Sequence, residues 1–192
     1  MPELREGAFS RRLAAASARC GTLALLELRP TIPMMPLPIA RFDDPFLPFG
    51  KAVINVTHPF VCGYVFDLAA YFALGAAGIV ALERSIAYAR GFEAVVAILH
   101  VPFASGAYAI ACGPLALNVD AVTVTPECDD AAFLASGVHP LHVQDTETGF
   151  PGLMTDSRTY TLIRPEDYRA AVGDDFEPVL RDIVRQMAQQ SA

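Results

Sequence analysis

His100 is the residue in this chain best suited to acid–base chemistry. It sits near the end of an apolar run, VVAILHV (95–101), and imidazole titrates closest to neutrality of all side chains. The plain alternative is a core histidine satisfied by a backbone carbonyl. Glu27 and Arg29 stand two residues apart in LELRP, so a strand there turns both to one face. They read either as a pair that polarises a substrate or as an internal structural ion pair. Asp67 follows a second apolar run, VCGYVF (61–66), and either lines the same site or caps a helix starting at Leu68. Ser105 and His100 are nucleophile and base types, but no oxyanion motif or orienting third residue accompanies them. His139 and His142, with Cys128 or Asp145, are metal-ligand types. On a regular strand, residues three apart face opposite sides, and only an irregularity at Pro140 would bring them together, so no metal site is assigned.

The elements that must position these groups follow from pattern. Residues 8–19 have helical composition, and TLALLEL (22–28) reads as a buried strand ended by Pro30. RPTIPMMPLPIARFDDPFLP (29–48) is a proline-punctuated loop, followed by a short helix over 49–58. The strand at 61–66 leads into helix over 68–90, broken near Gly75 to Gly78, with Glu83 and Arg84 outward. Strands at 95–101, 120–126, 137–144 (interrupted by Pro140) and 159–163 alternate with helices at 106–117, 129–135 and 165–188. Residues 145–157 read as loop. Short buried strands alternating with helices mean an α/β fold with about six parallel strands. A closed eight-stranded barrel needs two more, and typically ~250 residues. Alternation turns Glu27, Arg29, Gly63, Val65, Asp67, Ile98, His100 and Pro102 to one face, with Met34, Met35, Phe46 and Phe103 at its rim. Tyr64 faces the other way and reads as packing. The inward set makes an apolar mouth with a few polar groups, the composition of a site for a largely apolar small molecule.

The chain has 192 residues, 53% hydrophobic and 18% charged, with mean hydropathy +0.36. That supports one domain, residues 1–192, with a real core, and excludes a disordered chain. No apolar stretch reaches the ~18–20 uninterrupted residues of a membrane span. The N-terminus carries arginines and an apolar run, but Glu3, Glu6 and Glu27 interrupt a secretory pattern, so the chain reads as cytoplasmic. The net charge is −7, and Lys51 is the only lysine, which argues against nucleic-acid binding. Four scattered cysteines without a Cys-x-x-Cys read as reduced and mostly buried.

From Pro45 onward, PFLPFGKAVINVTHPFVCGYVFDLAAYFALGAAGIVALERSIAYA resembles the bacterial and archaeal orotidine 5′-monophosphate (OMP) decarboxylases, the ALER helix included. FSRRLAAASARCGTLALLELRP resembles that family's first helix and strand, DAVTVTP its fourth strand, and GVHPLHVQDTETGF its fifth. SRTYTLIRPEDYRAAVGDDFEPVLRDIVRQM resembles its last strand and helix. The resemblance implies a truncated or incomplete TIM (β/α) barrel, in which the sixth and seventh strands are missing between about 150 and 156. It also implies a homodimer, since family members build their sites across a two-fold interface. The family's second strand delivers a lysine and its third carries Asp-x-Lys-x-x-Asp. The matching positions here are Val65, then His100, Pro102 and Ser105. Arg29 stands where the first strand has a ribose-binding Asp, and Arg158 matches a phosphate-contacting arginine.

Orotidylate decarboxylation creates a carbanion without a cofactor and depends on a preorganised array of carboxylates and ammoniums. Val65 and Pro102 cannot supply it. The expectation is therefore a repurposed enzyme that needs no cofactor: a cyclase, isomerase or lyase acting on a largely apolar metabolite. His100, Glu27 and Arg29 would be catalytic, and Val65, Asp67, Pro102, Phe103, Ser105 and Arg158 would bind substrate. The alternative is an inactive homologue serving as a small-molecule-binding or regulatory subunit. A third, minor reading is residual nucleotide-phosphate binding through Arg158.

Overall fold

The structure, a computed structural model, describes residues 3–101, 105–142, 153–155 and 158–191. Its strands are β1 (Ala24–Leu28), β2 (Gly63–Asp67), β3 (Val96–His100), β4 (Ala121–Val124), β5 (His139–His142), β6 (Leu153–Thr155) and β7 (Arg158–Ile163). Its helices are α1 (Glu3–Cys20), α2 (Phe46–Thr57), α3 (Leu68–Phe72), α4 (Gly75–Ala89), α5 (Ala109–Cys112), α6 (Ala131–Ala135), α7 (Pro165–Tyr168) and α8 (Phe176–Gln189). One seven-stranded sheet runs in the order β5-β4-β3-β2-β1-β7-β6. Six strands are parallel, and only β6 runs against its neighbour β7. The sheet curls into an open half-barrel.

Both faces of the parallel strands are apolar, so both must be covered. Leu26, Leu28, Tyr64, Phe66, Ala97 and Leu99 alternate onto the convex face and pack in one core with residues of α2, α4 and α8. Tyr64 is there as expected, its hydroxyl 2.9 Å from that of Thr57. The opposite alternation sends Leu25, Val65, Ile98, Ala121 and Leu162 to the concave face. A closed barrel fills its interior with side chains from all eight strands. Six parallel strands cannot, and here α1 supplies the filling. Phe9, Leu13 and Ala16, spaced as one helical stripe, pack in the concave cluster while Arg11 and Arg12 stay exposed.

A buried carboxylate fastens this arrangement at the N-terminal edge of the sheet. Asp120, just before β4, accepts from the Ala97 amide (2.8 Å) and pairs with Arg90 (2.8 Å) and Arg12 (2.5 Å). It thereby ties α1 and the end of α4 to β3 and β4.

Four expectations about elements are corrected. α2 begins at Phe46, not 49, because Pro48 falls in the first turn, where a missing N–H breaks no helical bond. Residues 106–117 form a 3-10 turn and the four-residue α5 rather than one helix. The helix expected over 165–188 is two, α7 and α8, separated at 169–175. Strand β6 lies inside a segment read as loop. Pro140 does sit within β5, whose place at the sheet edge tolerates a residue without an N–H. The helix break falls where expected: Gly75 opens α4 at φ +61°, a left-handed conformation natural to glycine.

Candidate active site at the strand C-termini

Parallel strands end together, and the last inward residue of each strand reaches the same rim. Glu27 on β1 lies beside Val65 on β2, which lies beside Ile98 on β3. Two residues further on, Asp67 lies beside His100. Glu27 lies one tier lower on β1, level with Val65, and close enough to Asp67 to feel its charge.

His100 is half-buried, and its Nδ1 is 3.0 Å from the Thr123 hydroxyl on β4. Thr123 is wholly buried and also accepts from the Val101 amide at 2.8 Å. A side-chain hydroxyl is thus one partner of the ring. Burial lowers the His100 pKa from its ordinary value; Asp67 opposes the shift and Arg29 adds to it. The shift favours the neutral ring, the form a general base requires.

Glu27 is 6% exposed. Burial raises its pKa, Arg29 opposes, and Asp67 and Glu166 push it further up. Arg29 is a loose partner, its Nε 3.9 Å from the Glu27 carboxylate. The guanidinium's close contact is with Glu166 on α7. The Tyr168 hydroxyl, also on α7, donates to the Glu27 carbonyl at 2.7 Å and so seats α7 on the end of β1.

Asp67 does cap α3: its Oδ1 accepts from the Ala70 amide at 3.0 Å. Asp67→Ala is expected to cost about 1 kcal/mol in chemical denaturation. It should also move the His100 pKa lower still, because the carboxylate that favours the charged ring is gone. Unchanged His100 titration would disprove the coupling.

The other candidate residues are placed as follows. Val65 is fully buried in the cluster with Phe9, Leu13 and Ala16, one tier below the rim. Ser105 is exposed at the head of the 3-10 turn, away from the strand end proper. Pro102 and Phe103 lie outside the described residues, as does the side chain of Arg158, whose backbone opens β7. Met34 and Met35 line a narrow cleft of about 20 Å³ with Arg29, Pro30 and Tyr168. Phe46 is buried in the convex core and floors a neighbouring apolar groove of about 270 Å³ with Pro30, Ile32, Pro33 and Leu74. His139 stacks on Phe9 at 4.9 Å, whereas His142 pairs with Asp130 at 2.9 Å, so the two histidines serve different neighbours. Asp145 is outside the described residues.

Thr123, Glu166 and Tyr168 were not anticipated. Alternation along DAVTVTP places Ala121 and Thr123 on one face, so Thr123 was recoverable once β3 and β4 were paired. Nothing local in RPEDY signals that α7 folds back onto β1.

No family model matches the chain. Over 77 residues it is 35% identical to the orotidine 5′-phosphate decarboxylase of Thermomicrobium roseum. That stretch is 40% of this chain and only 27% of the enzyme. A Streptomyces avermitilis structure assigned as an orotidine 5′-phosphate decarboxylase superposes with a TM-score of 0.68 at 14% identity, covering 95% of this chain and 94% of that one. A Toxoplasma gondii structure assigned as an orotidine-monophosphate decarboxylase gives a TM-score of 0.59 at 26% identity, over 77% of this chain and 54% of that one. The chain shares the fold of these decarboxylase structures and resembles the Thermomicrobium enzyme in sequence over that stretch. It spans about half of the Toxoplasma decarboxylase chain, and nearly all of the Streptomyces one. Its only lysine, Lys51, is an exposed residue of α2 with its ammonium 5.4 Å from the Tyr88 ring centroid, on the outer helical layer. Among the described residues, no helix is long and apolar enough to cross a membrane.

Proposed function

We propose that this decarboxylase-like chain is a cofactor-independent isomerase, lyase or cyclase that moves a proton on a largely apolar small molecule. The observation that carries the reading is the pairing of Asp67 with His100 at the strand ends, with buried Glu27 one tier below them on β1. Burial drives two of the three in opposite directions, His100 down toward the neutral base and Glu27 up toward the neutral acid. A buried base and a buried acid whose pKa values are both shifted by their surroundings are candidates for acid–base catalysis. Holding a flexible substrate near its reactive conformation supplies the rest, without an ionic array. Arg29 polarises the substrate if it leaves Glu166. Asp67, Pro102, Phe103, Ser105 and Arg158 are the proposed binding residues. Val65 supports the floor from beneath. A homodimer would wall the open side, as the family resemblance implies.

A second reading, a ligand-binding or regulatory subunit, is favoured by the α1 filling, which leaves the concave face little depth. One experiment separates the two. Apolar metabolites that raise the melting temperature are incubated with the protein in D₂O and followed by mass spectrometry. Deuterium uptake or a new product marks an enzyme, and His100→Gln should slow it by ~10²–10⁴-fold without losing binding. A ligand held and returned unlabelled supports the binding subunit. Turnover unchanged in His100→Gln rejects the acid–base role.

A further inference from the structure

At the far end of the sheet from His100, the C-terminus of α1 meets the start of β2, and two thiols meet there. Cys20 Sγ and Cys62 Sγ are 3.6 Å apart, across 42 residues of sequence. Cys62 is buried and its backbone is fixed in the ladder: its amide donates to Ala24 and its carbonyl accepts from Val96. Cys20 is half-buried, on the last residue of its helix. Arg19 spans both elements, donating to the carbonyls of His58 (2.8 Å) and Val61 (2.7 Å) next to Cys62. Its buried Nε has no acceptor among the described residues.

We infer that Cys20 is a peroxide-reactive thiol and Cys62 its resolving partner, forming a reversible disulfide that locks α1 onto the sheet. The bond requires the sulfurs to close by about 1.5 Å, to the ~2.05 Å of a disulfide. The two sulfurs have opposite acidities. The contact with the Cys62 sulfur, aided by the Thr22 backbone and Arg19, lowers the Cys20 pKa to about 6 despite its partial burial and a 3.1 Å contact with the Ala16 carbonyl. That same contact and burial push Cys62 far up. Cys128 is also half-buried, but burial and the carboxylates of Asp130 and Asp129 raise its pKa. Cys20 is therefore the more acidic thiol of the pair, and the more readily ionised.

The steps balance with a hydroperoxide as oxidant. Cys20 sulfur attacks one peroxide oxygen; an S–O bond forms, the O–O bond breaks, and hydroxide leaves to take up a proton. The sulfur is oxidised to sulfenic acid and the peroxide reduced to water. Cys62 sulfur then attacks Cys20 sulfur; the S–S bond forms, the S–O bond breaks, and the hydroxyl leaves as water with the Cys62 proton. Thiol reductants reverse it. The cross-link ties the helix bearing Phe9, Leu13 and Ala16 to the strand bearing Val65, so it acts on the packing under the rim.

The test treats the full chain at neutral pH with one equivalent of hydrogen peroxide, followed by non-reducing peptide mapping. The expected product is two hydrogens lighter, carries a Cys20–Cys62 cross-link with Cys112 and Cys128 free, and melts several degrees higher until reduced. Cys62→Ser should stop at a Cys20 sulfenic acid trapped by dimedone. A reading that needs no variant is iodoacetamide competition on the reduced wild type, with Cys20 labelled about tenfold ahead of Cys128. Peroxide attack on Cys128 first, labelling of Cys128 ahead of Cys20, or wild-type Cys20 reaching sulfinic acid with Cys62 still a thiol would each overturn the proposal.

Discussion

Orotidylate incubated with the purified protein is expected to be recovered unchanged, at the uncatalysed rate. The reason is the position of charge. The orotidylate carbanion has to be formed against fixed charges and quenched by a proton donor at the mouth of the barrel. The chain offers a single ammonium side chain, Lys51, and α2 holds it on the outer layer against Tyr88. On the concave face, the inward residues of β2 and β3 that lie below the rim are Gly63, Val65, Val96 and Ile98, and none of these side chains can donate a proton. His100 is a strong acid only after charging, which burial opposes, and Glu27, the buried acid one tier below, lies near Arg29 with no lysine there to balance a forming carbanion. Product analysis with orotidylate in excess is the check. The control is Lys51→Ala, which should change nothing. Uridylate formed at an enzymatic rate would reject the account.

The second large effect is structural. Asp120→Ala is expected to destabilise the chain by about 4 kcal/mol, lowering the melting temperature by roughly 10 °C or more. The carboxylate is 2% exposed and answers three donors at once: the Ala97 amide, Arg90 and Arg12. Its removal strands a buried amide and the 19%-exposed guanidinium of Arg90. Arg12→Ala should cost under ~1 kcal/mol, because that arginine is half exposed and its charge is solvated when alone. Equal costs for the two substitutions in thermal melts would show that Asp120 is not the fastening point.

The strand faces were legible in the sequence because a period of two is a local property. Glu27, Val65, Asp67, Ile98 and His100 all fall on the side that alternation assigns them, and Tyr64 on the other. The break at Gly75 was legible for the same local reason. What sequence could not supply was closure. Phe9, Leu13 and Ala16 announce a helix with an apolar stripe, but a stripe does not say which surface it covers. Only the open concave face of the described parallel strands calls for it. The same holds for α7: Pro165 and Glu166 mark a first turn, yet the tyrosine two residues on decides where the turn sits, through a bond to a carbonyl 141 residues away. Pro48 misled because proline stops a helix everywhere except in its opening turn. Thr123 lay within reach, since its face follows from alternation and only the pairing of β4 with β3 was needed.

The placement of α1 also bears on the size of the substrate. In a full barrel the pocket floor is built by strands. Here the floor under the rim is Val65 with Leu13 and Phe9, so its depth depends on how firmly α1 is held. Asp120 holds the helix through Arg12, and the Cys20–Cys62 pair sits at its other end.

In the proposed reading, a neutral base stands at the end of β3 where the family resemblance implies an ionic array. Proton NMR titration of the imidazole resonances, with His100 assigned by their loss in His100→Gln, tests it without a known substrate. The account predicts that His100 titrates below 6.5, its ordinary value, and is uncharged at neutral pH. A His100 that titrates at or above 6.5 would contradict it.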